Sequence, residues 1–223
     1  MKKIIPILAV TALLATGCGA SKTKLSEKQW KEEVTDYGCF LNRNAVYEGD
    51  GSMGSYEVKL TLKSASDGKS VKLSSVIEYL VGENAGLSMQ SCVIGEINED
   101  VFNGDFYVNE GGEEGTWNHQ VAADLPLEDL RKQIVEYTYF ARFEYSSVKY
   151  DGKQKAYTFD KITDSIVDGG DTMEVIYRNG VIAFKGGELV SYKHTMSVST
   201  MTVDVSMERT QKGGAEVVAP TIE

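Results

Sequence analysis

The chain is poor in the residues from which most catalytic and metal sites are built. Among 223 residues there are two histidines and three cysteines. His119 and His194 stand far apart, and neither belongs to an H-E-x-x-H run or another spaced metal set. No G-x-S-x-G elbow, no P-loop and no G-x-G-x-x-G after a strand occurs. Gly51-Ser52-Met53-Gly54 is glycine-rich but lacks the lysine and the following helix that phosphate cradling needs. No cysteine sits in a C-x-x-C pair, which leaves zinc and thioredoxin-like redox chemistry without support. The expectation is a non-enzymatic chain with no catalytic residue, no metal and no cofactor. Basic residues are also in the minority, 23 Lys and Arg against 33 Asp and Glu, for a formal charge of −10. Such acidity repels nucleic acid and argues against broad electrostatic adhesion to anionic lipid. Long apolar runs are missing as well. The stretch Ile4 to Ala15 covers 12 residues, short of the roughly 20 a transmembrane helix requires.

That short stretch has a place of its own. Lys2 and Lys3 precede it, and the small residues Thr16 and Gly17 follow, before Cys18; together they read as a secretory signal. Ala15-Thr16-Gly17-Cys18 resembles a bacterial lipobox. The resemblance implies that Cys18 is alkylated with diacylglycerol, that residues 1–17 are removed, and that acyl chains such as palmitate hold the protein to a bacterial cell membrane, facing the extracytoplasmic side. Two or more chains on one residue anchor stably where a single chain is marginal. Losing Lys2 and Lys3 moves the formal charge to −12. With Cys18 so used, Cys39 and Cys92 remain. They either form one disulfide, as export permits, or stay as thiols in a chain long enough to build a core without a bridge.

Residues 18–25 read as the lipidated cysteine and a flexible tether, 26–210 as a single domain, and 211–223 as a flexible C-terminal tail. In SEKQWKEEVTDYG, Ser26 has the look of an N-cap with Gln29 as its capping-box partner. Trp30, Val34 and Tyr37 follow at helical spacing before Gly38 ends the run. The period then changes to two. Strands are predicted over Tyr56–Lys63 and Val71–Tyr79, joined at Asp67-Gly68, and then near Leu87–Ile97, Val101–Val108 and Thr116–Ala122. Pro126 opens a central helix, LPLEDLRKQIVEYTYFARF, with Leu127, Leu130, Ile134, Tyr137 and Ala141 on one face. Val135, Tyr139, Phe140 and Phe143 widen its apolar arc. Six further strands are predicted from Ser147 to Arg209, with turns at Asp151-Gly152, Asn179-Gly180 and Gly186-Gly187. The last alternates most cleanly, Met201, Val203, Val205 and Met207 against polar neighbours.

The acidic residues Asn98, Glu99, Asp100, Asp105, Glu110, Glu113 and Glu114 miss the register of a calcium loop and read as solvated, as does Asp168-Gly169-Gly170-Asp171. His194 shares parity with Tyr192 and Met196 and reads as a satisfied, half-buried core histidine. The order helix, strands, helix, strands resembles the LolA/LppX-like family, carried by SEKQWKEEV, LEDLRKQIVEYTYF, the YDGKQKAYTF hairpin and VIAFKGGELVSYKHTM. The resemblance implies an α+β domain: a strongly curved antiparallel sheet of about 10–11 strands, a half-barrel, with an N-terminal and a central helix on its concave face. It implies binding of a hydrophobic or lipid ligand between sheet and helices, with Tyr137, Phe140, Phe143, Met201 and Met207 as candidate lining. The same residues serve equally as ordinary core. Two alternatives stand beside it. One is a closed lipocalin-type barrel, echoed by Gly115-Thr116-Trp117. The other is a solid-core surface interaction module, an adhesion, inhibitor or envelope-assembly protein, with no small ligand. No protein partner can be named from the sequence.

Overall fold

The computed structural model describes residues 23–109, 111, 115–168 and 171–222. The signal segment with Cys18, the acidic residues Glu110, Glu113 and Glu114, and Gly169-Gly170 lie outside the described residues. No helix among the described residues is long and apolar enough to cross a membrane.

Eleven strands make one open antiparallel sheet that is curved. The first six, β1 (Asn44–Met53), β2 (Tyr56–Ala65), β3 (Ser70–Val81), β4 (Ser88–Asn98), β5 (Val101–Asn109) and β6 (Asn118–Pro126), form a meander. The last five, β7 (Lys149–Asp151), β8 (Ala156–Asp168), β9 (Asp171–Lys185), β10 (Glu188–Val198) and β11 (Met201–Lys212), form a second. The meanders meet where β1 pairs with β11, and β6 and β7 are the outer edges. Because those edges are unpaired with each other, a closed lipocalin-type barrel does not describe this sheet.

The strand that joins the two halves, β1, was not predicted by period, and its glycines explain why. In NAVYEGDGSM they interrupt the alternation and imitate a turn. Gly49 faces Met207 across the seam, and a Cβ there would stand 1.8 Å from the Ser206 carbonyl oxygen. The glycine is what lets β11 approach. Conversely, Asn179-Gly180 is not a turn: β9 runs through it, with Asn179 at φ +53° and the register against β10 shifting between Lys193 and Thr195. A Cβ on Gly180 would meet the Phe159 ring at 1.9 Å. Six expected strands after the central helix are therefore five, and five before it are six. The turns at Asp67-Gly68 and Asp151-Gly152 form as predicted, with each aspartate accepting backbone N–H groups from residues two and three further on.

The N-terminal helix is broken in three. Ser26 and Gln29 make the predicted capping box, but α1 (Glu27–Trp30) gives way to a π-turn over Lys31–Thr35. Tyr37 then takes φ +55°, and α2 (Gly38–Leu41) begins at the glycine expected to end the run. The break has a purpose in packing. Trp30 Nε1 and Thr35 Oγ1 both donate to the Phe143 carbonyl, at 2.8 and 3.0 Å, while Trp30, Val34 and Tyr37 are all buried. A bulged turn is a recurrent way to bring such groups to one point.

The central helix, α3 (Leu127–Thr138), also stops earlier than predicted. Tyr139 adopts φ +52°, Thr138 Oγ1 returns its hydrogen bond to the Ile134 carbonyl, and Phe140 to Phe143 continue as irregular chain. Leu130 and Ile134 face the core beside β5 and β6. One continuous cluster joins Trp30, Phe40, Phe140 and Phe143 to Tyr47, Tyr157, Tyr177 and Tyr192 of the sheet.

Both ends of the domain are held more firmly than composition suggests. Leu25, placed in the flexible tether, is buried, and its N–H donates to Tyr157 Oη at 2.8 Å, while Thr23 Oγ1 lies 2.6 Å from Tyr150 Oη. The segment after β11, read as a loose tail, has Val217 buried and brings the Val218 carbonyl to 3.8 Å from Cys92 Sγ. An apolar side chain with a matching surface leaves water whatever its neighbours in sequence.

Candidate functional site

Helix α3 lies toward β5 and β6, and this leaves space on its other side. Between α3 and strands β8–β10 runs a cleft of about 690 Å³. Its floor is built by register. Tyr177 of β9 pairs with Met196 of β10 and with Ile162 of β8; two residues along, Val175 pairs with Val198 and with Asp164. Alternation puts these on the face that carries the core. The helix supplies Arg131, Val135 and Tyr139 as the facing wall, a spacing of four that places them on one side. Tyr37 closes the inner end. Strand β7 pairs only with Ala156 to Thr158, so the remainder of β8, including Asp164 and Ser165 at the cleft, has no strand partner on its outer side among the described residues.

The rim is charged and balanced in sign, with Arg131, Lys132 and Arg142 against Glu128, Glu136 and Asp164. Glu128 holds both arginines, Arg131 Nη1 at 3.8 Å and Arg142 Nη1 closer, and Arg131 Nη2 lies 3.9 Å from Asp36. Three buried donors on its lining residues, Tyr37 Oη, Arg131 Nε and Arg142 Nε, have no hydrogen-bond partner among the described residues. Burial holds the Tyr37 hydroxyl far above its ordinary pKa, and the neighbouring Tyr177 and Cys39 raise it further, so it is a donor across the physiological range.

None of the five candidate lining residues bounds this cleft. Phe140, Phe143 and Met207 are wholly within the core: Phe140 packs on Tyr192 at 4.5 Å and Phe143 on Phe159 at 4.7 Å between ring centres. Tyr137 is half-buried, and Met201, at the β10–β11 turn, is 54 % exposed. The end of the helix at Thr138 explains Phe140 and Phe143, which a longer helix would have placed elsewhere. The residues that do bound the cleft, Val135 on α3 and Tyr139 just after it with Met196 and Val198 on β10, lay within or just beside the predicted elements. What singles them out is the helix being off-centre, which only packing decides.

Of the two states open to Cys39 and Cys92, the structure has the unbridged one. Cys39 is a free thiol inside the core cluster. Cys92 is a free thiol of the opposite parity to its buried neighbour Val93, paired with outward-facing Tyr107. The sheet lies between them.

The two histidines have unlike surroundings. His119 Nε2 is 2.7 Å from Asp105 Oδ1 on the outward face, its ring stacked on Tyr107. His194 is 5 % exposed among Phe143, Tyr177 and Tyr192, with Nε2 unpartnered, so it is neither half-buried nor fully satisfied. Its burial pulls the imidazole pKa down to about 4.

A charged residue that the sequence did not single out is Glu33, buried on the π-turn. Its Oε1 accepts the Leu189 N–H at 3.1 Å and its Oε2 meets Arg43 Nη2 at 3.0 Å. Desolvation raises its pKa, against the pull of Arg43. Glu33 ties the N-terminal helices to β10 and stands apart from the cleft.

No protein-family model, curated protein or solved structure matches the chain.

Proposed function

We propose that this protein is an exported bacterial lipoprotein, anchored through acyl chains on Cys18, that binds a hydrophobic or lipid ligand between α3 and strands β8–β10 and catalyses no reaction. The sheet is a half-barrel of the LolA/LppX-like kind, with the N-terminal helices and α3 on its concave side. The observation that carries the binding reading is the 690 Å³ cleft, floored by Val175, Tyr177, Met196 and Val198. Ligand sites of small molecules commonly occupy 300–1,000 Å³ and combine an apolar lining with a few placed polar groups. A curved sheet cannot fill its concave face with its own side chains. Helices fill most of it here, and the space beside α3 is what they leave.

The alternative, a solid-core interaction module, draws on the remainder of the same interface, where Trp30, Phe40, Phe140 and Phe143 are packed to full burial. Native mass spectrometry of the full chain released from detergent, followed by extraction of co-purified lipid, separates the two. A carrier retains stoichiometric apolar molecules and takes up added acyl probes. A chain that stays empty and refuses them is an interaction module.

A further inference from the structure

The cleft has an apolar floor and several unused donors among the residues that line it. Tyr37 is 1 % exposed and its hydroxyl has no hydrogen-bond partner among the described residues, although Arg142, Asp164 and Tyr177 lie near enough to act on it electrostatically. Arg131 and Arg142 are each held by their terminal nitrogens, through Glu128 and Asp36, with Nε–H left over. Native proteins pair the large majority of their buried side-chain polar groups, so three unpaired donors on residues that line one cleft call for acceptor oxygens there. A hydroxyl or an amide head would bring donors of its own. A carboxylate or phosphate brings only acceptor oxygens, several of them, and accepts charge-assisted bonds from arginine.

We infer that the cleft takes an acyl amphiphile by its oxyanion head, with Tyr37, Arg131 and Arg142 donating to the carboxylate or phosphate and the chain lying over Val175, Met196 and Val198. The inference rests on the reading of the cleft as a ligand site and specifies what that ligand carries. The balanced rim gives it a further property. Three acidic and three basic side chains cancel, and Glu136 and Asp164 stand on the same rim as the arginines. Recognition therefore comes from directed hydrogen bonds and not from a long-range positive field, and binding changes little between low and physiological salt.

The test uses the full chain in a non-ionic detergent with three photo-crosslinking probes of equal chain length: a diazirine palmitic acid, the corresponding hexadecanol, and a phosphatidylglycerol carrying the same acyl chain. Cross-linked peptides are mapped by mass spectrometry. The acid or the phospholipid should label the β9, β10 and α3 peptides about tenfold more than the alcohol, the ratio that one charge-assisted hydrogen bond confers. Whichever of the two labels more identifies the head as carboxylate or phosphate. Tyr37→Phe should remove most of that preference while leaving the melting temperature equal or higher, since it deletes a buried hydroxyl with no partner; a merely structural tyrosine would lower it. Arg142→Gln, at a partly exposed position, should weaken the preference likewise and provides the answer if Tyr37→Phe does not fold. Equal labelling of the cleft by acid, phospholipid and alcohol would overturn the oxyanion head and leave an apolar ligand site. Absence of label from the cleft with all three would overturn the ligand site itself.

Discussion

Glu33 and Leu189, far apart in sequence, are joined by a hydrogen bond of 3.1 Å from the Leu189 backbone N–H to a carboxylate that is 3 % exposed. The bond clamps the π-turn to the start of β10, and the second carboxylate oxygen is occupied by Arg43. Glu33→Ala leaves a buried N–H without a partner and should cost about 2–3 kcal/mol in urea unfolding. Glu33→Gln keeps an acceptor for Leu189 and should cost roughly half as much. Equal losses in the two variants would show that the ion pair with Arg43, and not the bond to Leu189, holds the turn.

His194 makes the fold sensitive to acid. The unfolded chain takes up the histidine proton near pH 6.5. The folded chain takes it only near pH 4. Between these values the unfolded state binds more protons, so stability falls as pH drops from 6.5 to 4 and levels off below. The full loss is on the order of 3 kcal/mol. Denaturation midpoints measured across this window should slope downward in the native protein and lose that part of the slope in His194→Phe.

The seam between the two meanders depends on Gly49. With a Cβ at 1.8 Å from the Ser206 carbonyl, Gly49→Ala must push β1 and β11 apart. A cost of about 3 kcal/mol or more is expected, the upper range for forced overpacking. Hydrogen exchange should show protection lost first along the β1–β11 pairing, with the β2–β3 and β9–β10 hairpins less affected.

Cys18→Ala tests the proposed anchor. The variant should leave the membrane fraction for the soluble fraction on cell disruption, because a chain with more acidic than basic residues offers little attraction to anionic lipid. Full retention in membranes would rule out Cys18 as the attachment point.

The sequence made the hairpins legible where turn chemistry and alternation agreed, as at Asp67-Gly68 and along β11. It failed where one residue answered to two demands. Gly49 looks like a loop residue and is a contact residue; Asn179-Gly180 looks like a turn and is a bulge opposite His194. Gly38 looks like a helix stop and is a helix start, because a Cβ there would strike the Glu32 carbonyl oxygen of the preceding turn. In each case the deciding atom, a backbone oxygen at Gly49 and Gly38 and the Phe159 ring at Gly180, belongs to a residue that local pattern does not bring near. The cleft was legible only as elements. Helix α3 and the late strands were in hand, but which of their residues bound empty space depends on where the helix settles, and Phe140 and Phe143 moved into the core once α3 ended at Thr138.

The pairing of β1 with β11 also sets when the protein can become itself. Ala45, near the start of the sheet, finds its partner in Lys212, close to the end of the chain. Contacts so distant in sequence form late and slowly. Each meander can gather locally as it emerges, yet neither half has its neighbour until the final strand arrives. A chain built this way stays open and threadable through most of its synthesis, which suits the export proposed for it.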